Sequence, residues 1–282
     1  MIREICYELF KLSNQKKNYI PIAGYLLFVI LCYIAYRASQ PTLISMISTL
    51  DMNRQDAVRY LDGFCFARIV LVPTFIVLMP IVMAALGGDC VAGESQEGSL
   101  KLYMTRPRSR TRVILVKFAA VYGAGFLYSV FFATAGLLLG FLFFGMAPAQ
   151  ILLMPGRVFG ETLSVMTNIE AMIRYWSVTL YFSFSLMTLG AMAVFFSTIF
   201  NRMSSAAISV LTFYFVSYVT ATLPFAGVIQ PWLISEIMNN AFLFWLTPVP
   251  IAKLCVNVAV LALYICSFLT AAIIRFNYKD IQ

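Results

Sequence analysis

Six uninterrupted apolar runs, long enough to cross a bilayer as helix, constrain this chain more than any other feature. They are Ile20–Tyr36, Phe64–Gly88, Val113–Gly145, Trp176–Phe200, Ser204–Leu223 and Ile251–Ile274. Strands of a membrane barrel alternate apolar and polar residues, and these runs do not, so helices are predicted. Hydrophobic residues make up 61% of the chain, with a mean hydropathy of +0.87. The chain therefore reads as an all-α integral membrane protein, a single membrane domain over residues 1–282.

The connections follow from composition. The third run exceeds what a bilayer needs, so it is expected to be tilted, broken or extended into solvent. Residues 224–250 are apolar but interrupted by Pro224, Pro231, Pro248 and Pro250. Such a segment is too broken to span and reads as a re-entrant pair of short helices. In residues 1–18, Ile2, Ile5, Cys6, Leu9 and Phe10 recur at helical spacing between Arg3, Glu4, Glu8 and Lys11. That pattern predicts an amphipathic interfacial helix before the first span. The polar character of those residues argues against a cleavable leader.

Charge sets the orientation. With the N-terminus inside, the cytoplasmic segments carry 13 of the 20 bases and only 6 of the 12 acids. Six spans with both termini cytoplasmic satisfy the positive-inside rule, and the inverted arrangement violates it. The expected location is an inner or plasma membrane.

Several chemistries lack their residues. Histidine is absent, which removes Ser-His and Cys-His nucleophiles and histidine proton relays. The six cysteines are scattered without metal-ligand spacing and read as small apolar residues. No GxSxG, HExxH or GxxxxGK[ST] sequence occurs, so neither hydrolase nor ATPase machinery is expected. Arg68, Lys117 and Lys253 lie near span ends, where each is expected to snorkel to water. The span centres carry no acids, which argues against a proton- or sodium-coupled carrier.

The polar stretch Asp89–Lys117, DCVAGESQEGSLKLYMTRPRSRTRVILVK, stands apart in a chain that is 11% charged. Its first half reads as a helix over Gly93–Met104. Glu94, Glu97 and Lys101 would share one face, with Leu100, Tyr103 and Met104 on another, and Pro107 would end the element. The order Asp89, Gly93, Glu94, Gly98, Arg106, Pro107, Arg110, Lys117 resembles the first cytoplasmic loop of ABC type-2 permeases. These are membrane subunits of ATP-driven exporters, including bacitracin-resistance and sodium-export systems.

The resemblance implies a cytoplasmic coupling loop at 89–112, whose helix at 93–104 contacts a separate ABC ATPase subunit through Glu94, Glu97, Leu100, Tyr103 and Met104. It implies two ATPase copies, a second permease subunit (identical or related), and ATP with magnesium on the ATPase, with no cofactor on this chain. The six-span order and the interfacial and re-entrant helices match the same family. A secondary carrier, or an assembly factor working without an ATPase, is the opposing class.

A cargo path is expected where polar groups collect. Tyr214, Ser217, Tyr218 and Thr222 form a polar-tipped stripe on the fifth span. The stripe reads either as interhelical hydrogen bonding or as the lining of a path at a dimer seam. Gly136 and Gly140 read as a packing pair, and Glu236 as a water-facing acid or part of an external gate. An amphipathic or apolar cargo (lipid, peptide or drug) suits the scarcity of central charges.

Overall fold

The computed structural model describes residues 2–48, 61–98, 109–147, 150–151, 165–246 and 248–278. Eight helices carry the fold among these residues. They are α1 (Ile2–Ser13), α2 (Ile20–Ser48), α3 (Gly63–Gln96), α4 (Arg110–Phe144), α5 (Asn168–Ile199), α6 (Met203–Thr222), α7 (Ile234–Asn239) and α8 (Ile251–Asn277). All except α1 and α7 are long and apolar enough to cross a membrane. One two-residue antiparallel pair, Gln150–Ile151 with Val165–Met166, joins the ends of the α4–α5 connection. The chain is thus essentially all-helical, with the six long apolar helices that the sequence predicts.

Local chemistry sets several helix ends. Asp62 caps α3, its Oδ1 accepting from the amides of Phe64 and Cys65 at 3.1 and 3.0 Å. Its Oδ2 accepts from the Ala147 amide at 2.9 Å, so one carboxylate ties the start of α3 to the end of α4. Thr167 caps α5 in the arrangement Thr-x-x-Glu, with Glu170 in the first turn. Gly145, at φ +71°, lets the chain leave α4.

The helices form a bundle around α5. Of the most apolar window in each helix, 78% is buried in α5 and 56% in α3, against 17% in α2 and α6. Helices α3, α4 and α5 are therefore the packed core, while α2, α6 and α8 turn wide apolar faces outward. Gly140 serves the close approach expected of it. A Cβ on Gly140 would meet the Gly63 carbonyl oxygen at 2.2 Å, and a Cβ on Gly63 would meet that of Gly140 at 2.2 Å. Gly136 makes room instead for the hydroxyl of Tyr25, which donates to the Phe132 carbonyl at 2.7 Å.

The two ends of the bundle differ. At one, α1 lies against α4, the start of α4 meets the end of α8, and the end of α3 reaches the start of α6. The first and last of the eight helices thus both reach α4 there. At the other, residues 224–246 form three 3₁₀ turns and α7, packed on α5, α6 and α8. Arg174 pins this cap by donating to the carbonyls of Phe244 and Leu246 at 3.3 and 2.7 Å while pairing with Glu170.

Candidate functional site

The site grows from the way α3 ends. The apolar run predicts a span stopping at Gly88, yet the helix continues to Gln96 with a widened, π-helical stretch at Asp89–Gly93. Ser197 of α5 causes it. Its hydroxyl donates to the Gly88 carbonyl at 3.0 Å and accepts from the amides of Val91 and Ala92 at 3.1 and 2.7 Å. A side chain thus occupies the place of the Ala92-to-Gly88 bond of an α-helix and still satisfies both groups. The Cys90 carbonyl, freed in the same turn, accepts from Lys117 Nζ at 2.7 Å.

This widening aims Glu94 into the protein. Glu94 is 6% exposed, and its Oε1 lies 2.6 Å from Lys11 Nζ and 2.7 Å from Lys117 Nζ. One carboxylate so joins α1, α3 and α4. Nearby, Asp89 pairs with Lys17 at 2.7 Å, and Glu4 with Arg112 at 3.0 Å. Burial alone lowers the affinity of Lys11 for its proton. The hydrogen bond and charge of Glu94 outweigh it, and the Lys11 pKa is raised. A cavity of about 20 Å³ bordered by Glu8, Gln15, Asp89 and Glu97 adjoins the cluster, space for about one water molecule. Such a network is sensitive because removing one partner strands a charge in a low dielectric.

The neighbouring contacts finish this end. Arg110 donates to the carbonyls of Phe276 and Asn277 at 3.0 and 2.9 Å, an arginine closing the C-terminus of α8. Gln96 Oε1 accepts from the Met203 amide at 3.4 Å. Helices α1, α4, α5 and α6 thus each touch the segment 89–98, and α8 joins them through Arg110 of α4.

Several expectations change here. The predicted helix over Gly93–Met104 does not begin at Gly93, because that residue already lies within α3. The helix closes after Gln96, and Gly98 adopts φ +72°, where a side chain would be strained. Glu97 and Gly98 are exposed, whereas Glu94, expected on a docking face, is held inside. Gly93 is needed for space, since a Cβ there would meet Asp89 Oδ1 at 2.1 Å. Leu100, Tyr103, Met104, Arg106 and Pro107 lie outside the described residues. Lys117 does not snorkel; it is 2% exposed and paired. Arg68 does not either, with its guanidinium 4.6 Å from the Phe64 ring centroid and 6% of the residue exposed. Lys253 is exposed.

The α6 stripe divides. Tyr214 is buried and donates to the Ile76 carbonyl at 2.8 Å, while Ser217 shares a hydrogen bond with Ser235 at 2.9 Å. These two join α6 to α3 and to α7. Tyr218 is half-buried and Thr222 exposed, its hydroxyl donating to the Val219 carbonyl. Glu236 sits partly buried in α7; burial raises its pKa, and Lys253 opposes that. The ties made by Ser197, Lys11 and Lys17 escaped sequence reading because nothing in their own segments marks their partners.

The chain belongs to the family described as protein of unknown function DUF2705, whose model matches residues 26–282. No curated protein matches it.

Proposed function

We propose that this DUF2705 member is the membrane permease subunit of an ABC exporter, driven by a separate ATPase subunit. The observation that carries the reading is the clamp on Glu94. A polar segment needed to receive force from a partner has to be rigidly joined to the spans it moves. Here one carboxylate ties that segment to α1 and α4, while Ser197 ties its base to α5. In this reading Glu94 positions the segment, and the ATPase meets Glu97 and the residues beyond it, Leu100, Tyr103 and Met104 among them.

The complex contains two permease chains, identical or related, and two ATPase subunits holding ATP and magnesium. Helix α1 lies along the cytoplasmic leaflet, and both termini face the cytoplasm. Residues 224–250 form the external re-entrant cap, with Glu236 near its gate. The outward faces of α2, α6 and α8 are available to lipid and to the second permease. Tyr218 and Thr222, less enclosed than Tyr214 and Ser217, border the path for an amphipathic or apolar cargo.

Copurification tests the reading. A tagged permease expressed from its native host should bring down an untagged nucleotide-binding protein of ABC type, and the complex should hydrolyse ATP. Recovery of a stable permease without such a partner, under conditions that preserve known ABC complexes, would overturn the proposal in favour of a carrier or assembly factor.

A further inference from the structure

A second feature of the charged end lies beside the clamp. A cavity of about 430 Å³ opens between α1, the turn after it, and the adjoining parts of α3 and α4. Its walls include Leu9 and Leu12 of α1, Ile22 of α2, Leu86 of α3 and Ala124 of α4. The volume falls in the range of roughly 300–1,000 Å³ typical of small-molecule sites. Apolar walls of this kind give water too few partners to make it the natural occupant.

The direction of the opening narrows the choice. Phe10, Tyr19, Leu127 and Phe131 border the cavity and are 66%, 58%, 62% and 41% exposed. The mouth is therefore flanked by the apolar outer surface of the bundle, where lipid lies. Part of the rim is polar and fixed. Asn18 Nδ2 donates to the Leu12 carbonyl at 2.6 Å, and the Tyr128 hydroxyl donates to the Asn18 carbonyl. The turn 13–18 is thus held over the cavity as a lip, and Lys16 stands exposed on it.

An apolar slot opening to lipid beneath a polar, cationic lip matches one kind of molecule. We infer that the cavity holds one acyl chain of a phospholipid from the leaflet nearest α1, with its phosphate beside Lys16. A lysine near a membrane surface favours an anionic headgroup, so phosphatidylglycerol is the probe of choice. The inference needs only the membrane setting and does not depend on an ATPase partner.

Native mass spectrometry of the full chain, delipidated and titrated with phosphatidylglycerol, tests it. The wild type should take up one lipid well before others. Ala124→Trp fills the slot and should weaken that first binding by at least about tenfold, the loss of about two buried methylenes. Leu142→Trp, on an exposed part of α4, should leave it unchanged. Lys16→Glu alters only the lip and should weaken binding by about fivefold; it decides the matter if Ala124→Trp does not fold. Equal first-lipid binding in wild type and a folded Ala124→Trp would overturn the inference, as would unchanged binding in Lys16→Glu. A change of oligomeric state in Ala124→Trp, with lipid binding unaltered, would assign the slot to a second copy instead.

Discussion

The hydroxyl of Tyr214 on α6 donates to the carbonyl of Ile76 on α3 at 2.8 Å, four residues before Pro80. In an α-helix that carbonyl would accept from the amide at position 80, which proline lacks. Residues Thr74–Leu78 are π-helical, between Pro73 and Pro80. The tyrosine therefore answers a vacancy that the proline creates. Tyr214→Phe should lower stability in detergent by about 1–2 kcal/mol, the cost of one orphaned buried acceptor. The loss should shrink markedly in a Pro80→Ala background, where the backbone can supply its own donor. Equal losses in both backgrounds, read by thermal unfolding, would reject this account.

The ion-pair clamp gives a second prediction. Lys117→Met removes the most deeply buried cation described at Glu94 and should destabilise the protein by about 3–5 kcal/mol, as expected for breaking a buried pair. Adding Glu94→Gln should recover a large part of that loss, because position 94 then carries no charge to be paired. A double-mutant cycle showing simple additivity would mean that the pair contributes no coupling.

Ser197 holds the widened turn of α3, so Ser197→Ala should let the turn relax toward α-helical register. One residue of register rotates everything beyond it by about 100°, which would turn Glu94 away from Lys11 and Lys117. Spin labels at Glu97 and at Tyr7, an exposed position of α1, would detect the change as an altered distance, with membrane insertion unaffected. In the proposed transporter this substitution should also reduce copurified ATPase.

Accessibility should follow the division of the α6 stripe. With native cysteines replaced, Cys substitutions at Tyr218 and Thr222 should react with a small water-soluble thiol reagent, while those at Tyr214 and Ser217 should react slowly. In the proposed complex, the rates at Tyr218 and Thr222 should change when the ATPase binds ATP. Protection of all four, with and without ATP, would place the path elsewhere.

Glu236 supplies a pH dependence. Its folded-state pKa lies above 4.5 because burial disfavours the charge. The native state thus holds this proton more tightly than the unfolded chain. Its contribution is most favourable below the unfolded pKa and is lost as pH rises through the folded value. Glu236→Gln should remove that slope and give a modestly higher melting temperature at neutral pH. An unchanged slope between wild type and variant would assign the dependence to other groups.

The sequence made the spans legible because lipid imposes one requirement, apolar length, on every one of them. Pro224 to Pro250 likewise announced a broken segment, and the short helices and turns there match it. The charged end was harder to read. Glu94 looks like a surface residue in its own segment, and its burial is explained by Lys11, 83 positions away, and Lys117. Ser197 looks like any small polar residue in a span, yet it decides where α3 widens. Amphipathic periodicity located α1 but not its attachment, since Glu4 and Lys11 of its polar side pair with the protein while Ile2, Tyr7 and Phe10 are exposed. Long-range pairing of this kind leaves no local trace.

The contact of Gly63 with Gly140 carries a mechanical consequence. There α3 and α4 meet backbone to backbone, with no side chain between them to flex, and Asp62 staples the same point. At the opposite end the two helices are joined by the pair of Lys117 with Glu94, a contact between side chains that can move apart. Any tilt of α3 against α4 would have its fulcrum at Gly63. Helix α3 runs 34 residues from that point to Gln96, or about 50 Å at 1.5 Å per residue. A tilt of about 5° at the fulcrum therefore moves the charged end by about 4 Å over that length, enough to part Glu94 from both of its lysines.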